Sequence, residues 1–420
     1  MFNLNFNFLK NIKSFIFPFY RNKELKFIFK KLQEGIPESK TAARFVGGCV
    51  RKYLSHEKID DIDIATILTT DQTKEKFKDT NLEVIDTGVK HGTVTVVSEN
   101  YKVEITTLRK DIKTDGRHAE VEYTDDWQQD SERRDFTINA IYMDINGKLF
   151  DPQMGTTDLK NKNIKFIGDP QKRIEEDYLR IIRFIRFKIM YDIEVEPTTS
   201  DAIKQNLDGI KKISKERILI ELFKILDHKN FLTINQNNNL KEIFSKIFPE
   251  FLYLERLERL KKVYQYSQEN VDILLAVMLM DEKDNHEYFI HKYNVSNKVR
   301  QALEKFNKNL IKLKNDREFF EKNLIKNIYI NGKNHLIALN LINFSINSKV
   351  KINDFSKILN KILKIKIPIF PIDGKTLKQK GMQEGQSLGN VLKTLEKEWI
   401  NNNFKISNQR IEEIIKLNSY

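Results

Sequence analysis

Cysteine is almost missing from this 420-residue chain: Cys49 stands alone. No internal disulfide can form, and a four-cysteine zinc site is excluded. No segment approaches the roughly 18 consecutive apolar residues of a membrane span. The longest greasy stretch near the start, Phe15-Ile16-Phe17-Pro18-Phe19-Tyr20, is short and broken by proline, and no small-residue cleavage site follows it. The Gly-x4-Gly-Lys-Ser/Thr phosphate loop is absent, and no internal repeat is visible. A cytoplasmic protein without membrane attachment is expected. Nothing in the sequence fixes an oligomeric state.

What is present is a globular composition, with 40% hydrophobic and 31% charged residues over a length that suggests about three domains. The net charge is +13, and it is unevenly spread. Ile36 to Gly155 holds 17 basic and 23 acidic residues, a net of −6, which leaves +19 on the remainder. Excess positive charge attracts polyanions such as nucleic acid through phosphate neutralisation. A lysine-rich solubilising surface from AT-biased coding gives the same excess, so the acidic segment is the sharper clue.

Three textures follow one another. Residues 1 to about 35 are basic and amphipathic, with Leu25, Phe27, Ile28 and Leu32 near helical spacing. Residues 41 to 155 alternate strand and helix signals. Strands are predicted at 44–46, 61–65, 82–85, 93–97, 101–107 and 141–145, with a Gly47-Gly48 turn before a helix beginning at Val50. Beyond Asp151 the periodicity is helical, as in 177–189, 215–226, 272–280 and 351–363. A glycine-punctuated stretch from Pro368 to Gly389 reads as a turn-rich connection into a helix over 390–400.

Several short clusters could carry chemistry. In Asp61-Ile62-Asp63, side chains two apart on a strand share a face, so two carboxylates point the same way. Like charges held together want a cation, and Mg²⁺ combines few carboxylates with substrate phosphates. Two such metals activate a hydroxyl and stabilise leaving pyrophosphate. A solvated edge strand would show the same pattern. Glu104 on a neighbouring strand is a third candidate ligand, or a surface glutamate. Gly47-Gly48-Cys49-Val50-Arg51 sets paired glycines at a strand-to-helix turn, where backbone amides and Arg51 suit a phosphate, although ordinary turns look alike.

Arg133-Arg134-Asp135-Phe136-Thr137-Ile138-Asn139-Ala140 is too polar for a buried helix without partners. The arginines suit a triphosphate, and Asp135 or Asn139 a sugar hydroxyl; alternatively Asp135 and Asn139 tie local backbone. In Glu176 to Arg186, Tyr178, Ile181, Ile182, Ile185 and Ile189 form an apolar stripe, and Asp177, Arg180 and Arg183 fan across an adjoining face, as they would on a salt-bridged surface helix. A carboxylate accepts from the exocyclic amine of cytosine or adenine, and arginine donates to the ring acceptor beside it. Uracil and guanine present a carbonyl there instead, so such a pair selects C and A.

In order and spacing these elements resemble the class II tRNA nucleotidyltransferases, the CCA-adding enzymes, and their bacterial poly(A) polymerase relatives. The likeness spans Phe45 to Leu226. It includes the GG-x-VR turn, Asp-Ile-Asp-Ile-Ala-Thr, Glu104 to Arg109 through Asp115-Gly116-Arg117, the RRDFTINA block, Glu-Asp-x-x-Arg-x-x-Arg, and Ser214-Lys215-Glu216-Arg217-Ile218. The segment from Pro371 to Gly389 is similar to the C-terminal part of some bacterial members.

The resemblance implies an α+β fold. A basic N-terminal extension (1–35) with no family counterpart precedes a polymerase-β-like nucleotidyltransferase head (36–155). A helical neck carrying a nucleobase-reading helix (156–235), a helical body (236–350) and a helical tRNA-binding tail (351–420) follow. It implies catalysis and metal binding at Asp61 and Asp63, with Mg²⁺ as cofactor. Nucleotide contacts fall to Gly47, Gly48, Arg51, Arg134, Asp135 and Asn139. Base reading falls to Asp177 and Arg180, supported by Arg183 and Arg186. Substrates would be tRNA, CTP and ATP.

Two departures stand out. Lys52 replaces the aspartate usual after the VR arginine, and the His-Asp dipeptide of an added phosphohydrolase domain does not occur. The segment from Gly88 to Val94 looks more like the CCA-adding group than the poly(A) polymerases, and no basic polyadenylation-type signature follows the neck. Poly(A) synthesis, CC-only or A-only addition, and an RNA-binding module with an inert head remain the alternatives.

Overall fold

The computed structural model describes residues 19–88, 92–114, 119–191, 195–267 and 271–417. Three stretches read above, parts of 1–35 and of Gly88–Val94 and the Asp115-Gly116-Arg117 run, lie outside them. The chain divides into two compact units. One comprises residues up to Phe231 together with Glu242–Ile247, the other Leu232–Lys241 together with Phe248 onward.

The first unit opens with a helix, Lys23–Gln33, capped by Asn22, whose Oδ1 accepts the Glu24 amide at 2.8 Å. Leu25, Ile28, Phe29 and Leu32 recur at 3.6-residue spacing and are buried. Phe27, expected on that face, points away and is 41% exposed, while Phe29 takes its place. The buried face joins one core with Phe45, Ile64, Phe77, Val94 and Met143, so this helix is part of the head.

Behind it lies a seven-stranded sheet in the order β3-β4-β5-β2-β1-β8-β9. Its strands are β1 (Ala43–Val46), β2 (Ile62–Thr66), β3 (Glu83–Gly88), β4 (Thr93–Val97), β5 (Lys102–Thr107), β8 (Tyr142–Met143) and β9 (Leu149–Phe150). Only β2 and β5 run parallel. Val94, Val96, Val103, Ile105, Ile62 and Ile64 alternate inward and are buried, which fixes the register.

A separate hairpin, β6 (Arg109–Thr114) and β7 (Ala119–Tyr123), was not expected. Both segments are charge-rich; Ala119, Val121 and Tyr123 alternate with glutamates, but RKDIKT shows no apolar alternation, so the hairpin signal is one-sided. The predicted strand 141–145 is cut short because the Asp144 side chain accepts the Asn146 and Lys148 amides and turns the chain.

Neck helices follow: Pro170–Glu176, Leu179–Tyr191, Pro197–Asn206 and Lys215–Leu226. Pro170 sits in the first turn of its helix and the Asp169 side chain accepts the Lys172 amide at 2.9 Å. Gly209 allows a close approach: a Cβ there would stand 2.1 Å from the Tyr178 ring.

The second unit is helical. Val271–Leu279, apolar on every face, is buried from Ile273 to Leu279. Arg259 donates to the carbonyls of Phe344, Asn347 and Val350 where helix Lys333–Ile346 ends, satisfying groups that no further turn can reach. Toward the C-terminus, Leu377, Val391, Leu395, Ile411 and Ile414 share a small core. The glycine-punctuated stretch is more ordered than its sequence suggests. It contains a helix, Gly374–Gln379, begun by the Asp373 cap, and the following helix starts at Gln386 rather than Asn390. No described helix is long and apolar enough to cross a membrane.

If the first helix belongs to the head core, Leu32→Ala should destabilise the protein by about 2–5 kcal/mol in urea unfolding. Phe27→Ala, on the exposed face, should stay within about 1 kcal/mol.

Candidate active site

A cavity of about 930 Å³ opens in the first unit, lined by Gly47, Gly48, Arg51, Asp61 and Asp63 together with Asp177, Arg180, Arg183 and Arg186. Arg134, Asp135 and Asn139 lie in the same wall. All the nucleotide and metal candidates named from the sequence therefore converge, except Glu104, which is not part of the lining.

The floor comes from the sheet. Parallel pairing of β2 with β5 sets Asp63 directly beside Glu104. Asp61 precedes β2, rather than starting it, and is exposed; Asp63 is half-buried and Glu104 exposed. Neither the Asp61 nor the Asp63 carboxylate accepts a hydrogen bond from a described residue. Burial, then the Glu104 charge, pushes the Asp63 carboxyl up to about 6, against the pull of Arg134 and Arg51. Oxygen donors gathered without protein partners, repelling one another, fit a hard divalent cation.

Above them the β1–helix turn bends at Gly47, whose φ of 70° favours glycine. An ideal Cβ on Gly47 or Gly48 would lie 3.8 Å from Asp63 Oδ2, so the missing side chains keep backbone open beside the carboxylate. From the short helix Gly48–Leu54, Arg51 reaches the Asn139 side chain through Nη1 and donates Nε–H to the Tyr191 hydroxyl at 3.1 Å. The divergent Lys52 forms an ion pair with Asp60, the residue next to the carboxylate pair.

The RRDFTINA block is not one helix. A helix ends at Glu132, and a 3₁₀ turn covers Thr137–Asn139. Its two arginines are held by a residue that sequence reasoning passed over. Asp130, fully buried, takes Arg133 on Oδ1 (2.8 Å from Nε) and Arg134 on Oδ2 (3.0 Å from Nη2), and Oδ2 also accepts the Tyr142 hydroxyl at 2.7 Å. Burial alone would raise this carboxyl; the charges of Arg134 and Arg133 outweigh it and hold it below the usual range. The signal was available, since an acid three and four residues before two arginines is an i,i+3/i,i+4 pattern.

Asp135 Oδ1 accepts the Phe136 amide and the Asn139 side chain (2.8 Å), and Oδ2 lies 2.8 Å from Arg183. Burial opposes ionisation there, but Arg183 and Asn139 prevail, and Asp135 stays below the ordinary carboxylate range. The local ties read as an alternative for Asp135 and Asn139 are thus formed.

In the neck, the expected fan of Asp177, Arg180 and Arg183 on one helix needs correcting. The helix spans Leu179–Tyr191, and Asp177 precedes it, its Oδ1 accepting the Leu179 amide at 3.1 Å. A carboxylate at that position is favoured by the unpaired amides of the helix start. Asp177 pairs not with its neighbours but with Arg217 of the helix Lys215–Leu226, at 2.7 Å. Arg217 belongs to the Ser214–Ile218 stretch, which had been given no role. Arg180 is buried against Glu176 and the Arg173 carbonyl. Arg186 pairs with Glu221 at 3.0 Å and lies over the Phe187 ring. Electrostatically the cavity is a mosaic of arginine–carboxylate pairs around two unpaired aspartates.

Comparison with known proteins adds to this geometry. The poly A polymerase head domain matches residues 43–165, and a probable RNA- and SrmB-binding site of polymerase A matches residues 192–253. The chain is 34% identical to human CCA tRNA nucleotidyltransferase 1, mitochondrial, over 92% of its own length and 89% of the relative's. It is 32% identical to the CCA-adding enzyme of Ligilactobacillus salivarius, over 88% and 92%. Among solved structures, the Bacillus stearothermophilus CCA-adding enzyme in complex with CTP superposes with a TM-score of 0.65 at 23% identity, covering 94% and 96% of the two chains. The Thermotoga maritima CCA-adding enzyme complexed with tRNA gives 0.60 at 24%, covering 94% and 95%. These structures share the fold, including the polymerase-β-like head.

Asp63 ionises near 4 in the unfolded chain but near 6 in the fold, so metal-free stability should fall as pH rises between those values, by about 3 kcal/mol. Asp63→Asn should be more stable than wild type above pH 6 in chelator and converge with it below pH 4. Asp130 has the opposite sign. Its lowered carboxyl stabilises the fold above pH 4, so Asp130→Asn should cost about 3 kcal/mol in urea unfolding at pH 7 and progressively less in acid.

Proposed function

The chain belongs to the CCA-adding tRNA nucleotidyltransferases, and we propose that its cavity performs their reaction as stepwise transfer of CMP, CMP and AMP from CTP and ATP to a tRNA 3′ end. What supports this most is a single cavity lined both by unpaired carboxylates and by a carboxylate-and-arginine edge suited to C and A.

Asp61 and Asp63, with Glu104 alongside, would hold Mg²⁺, whose chemistry when bound is to activate the terminal ribose hydroxyl and stabilise departing pyrophosphate. Arg51 and Arg134, with the Gly47-Gly48 backbone, hold the triphosphate so that its α-phosphorus faces that hydroxyl. Asp130 keeps Arg134 extended toward the substrate. Asp135 and Asn139 meet the sugar hydroxyls, steadied by Arg183.

Asp177 has both oxygens engaged, by the Leu179 amide and Arg217, yet each retains a lone pair for an exocyclic amine. Arg180 donates to the adjoining ring acceptor, with Arg186 behind it. A carbonyl at the exocyclic position would set acceptor against acceptor at Asp177 and forfeit the base hydrogen bond, which rejects U and G at a cost typical of a lost buried hydrogen bond. The lysine-rich body and tail supply phosphate contacts for the tRNA, which is gripped by shape.

The test is incorporation on tRNA lacking its 3′ CCA, supplied with CTP and ATP. Wild type should add CCA and stop; a homopolymeric A tail or absent C incorporation would defeat the reading. Asp61→Ala combined with Asp63→Ala should lower incorporation at least a thousandfold while tRNA binding, read by gel shift, persists. Retained incorporation would show the carboxylates to be dispensable. Asp177→Ala should relax the preference for C and A by about tenfold or more.

A further inference from the structure

Tyr191 was singled out by neither motif nor spacing, yet it touches the residue on which triphosphate binding turns. It ends the neck helix Leu179–Tyr191, and its hydroxyl accepts the Arg51 Nε–H at 3.1 Å. The same hydroxyl faces the Glu57 carboxylate, which can take its hydrogen. Arg51 is fixed on two further sides: Nη1 donates to Asn139, and the guanidinium lies over the Phe187 ring, 4.7 Å from its centre. Phe187 and Tyr191 are themselves stacked, at 6.4 Å and 16°.

A guanidinium has five N–H donors in a rigid plane. With Nε and one Nη1 hydrogen committed and the face covered, the plane is held against rotation, and among the described residues Nη2 has no hydrogen-bond partner. Arg51 is 5% exposed and lines the cavity. Its remaining N–H donors are therefore held in a fixed direction by residues outside its own helix, Tyr191 among them.

We infer that Tyr191 is a positioning residue for nucleotide binding: through its hydroxyl, backed by Glu57, it locks Arg51 in the orientation that meets the triphosphate. The inference rests on the triphosphate role given to Arg51 above. It has a consequence that base reading does not share. CTP and ATP carry the same triphosphate, so loss of the hydroxyl must weaken both alike.

Tyr191→Phe keeps the ring stacked on Phe187 and removes only the oxygen. Steady-state kinetics would be measured with CTP on tRNA lacking CCA and with ATP on tRNA ending in CC. The expected result is a KM raised roughly five- to twentyfold for both nucleotides, kcat within about threefold of wild type, and inhibition by inorganic tripolyphosphate weakened by the same factor. Glu57→Gln should shift KM in the same sense, by roughly two- to fivefold, and decides the matter if Tyr191→Phe does not fold. Unchanged KM values overturn the inference, as does a loss confined to one nucleotide or a fall in kcat alone with lowered thermal stability. Wild type that adds neither C nor A would instead indict the functional reading itself.

Discussion

The parallel pairing of β2 with β5 is the constraint from which the rest of the site follows. It forces Asp63 and Glu104 side by side in a sheet whose other neighbours are antiparallel. Two negative groups at that spacing raise the energy of the metal-free head, and burial of Asp63 adds to it. Such repulsion persists only where the surrounding fold is stable enough to bear it, and the aliphatic core of Val94, Val96, Val103 and Ile105 on the opposite face supplies that stability. The strain sits where a cation would relieve it.

The remainder of the cavity obeys the opposite rule. Apart from Arg51, most of its arginines are matched to carboxylates, Arg134 and Arg133 to Asp130, Arg183 to Asp135 and Arg186 to Glu221, while Arg217 behind the lining pairs with Asp177. Charges this buried are costly alone, and each pair removes most of that cost while holding both side chains rigid. One of these pairs, Arg183–Asp135, joins the head to a neck helix of the first unit. A phosphate entering this cavity would thus meet donors that are already oriented, which lowers the ordering cost of binding.

How much of this the sequence disclosed depended on the reach of each interaction. Strands β4 and β5 and the helix Lys215–Leu226 were legible because local alternation or 3.6-residue spacing matched their burial. The β6–β7 hairpin was missed although AEVEY alternates apolar and charged residues, because its partner RKDIKT carries no apolar rhythm. Asp61, Asp63 and the RRDFTINA residues were visible as chemistry because short spacing brought unusual polar residues together. Asp177 was assigned to the helix it caps, because a cap and a first-turn residue look alike in sequence. Its pairing with Arg217, and that of Arg51 with Tyr191, joins residues far apart in the chain, and no local pattern encodes such contacts.

The opening helix has a further bearing on how the molecule is made. Its residues leave the ribosome well before those of β8, yet Leu25 shares one core with Met143. The head cannot close until synthesis has passed that strand, so the nascent chain must carry an exposed apolar helix face through more than a hundred further residues. Chaperone dependence during translation would then be concentrated in the interval before β8 appears.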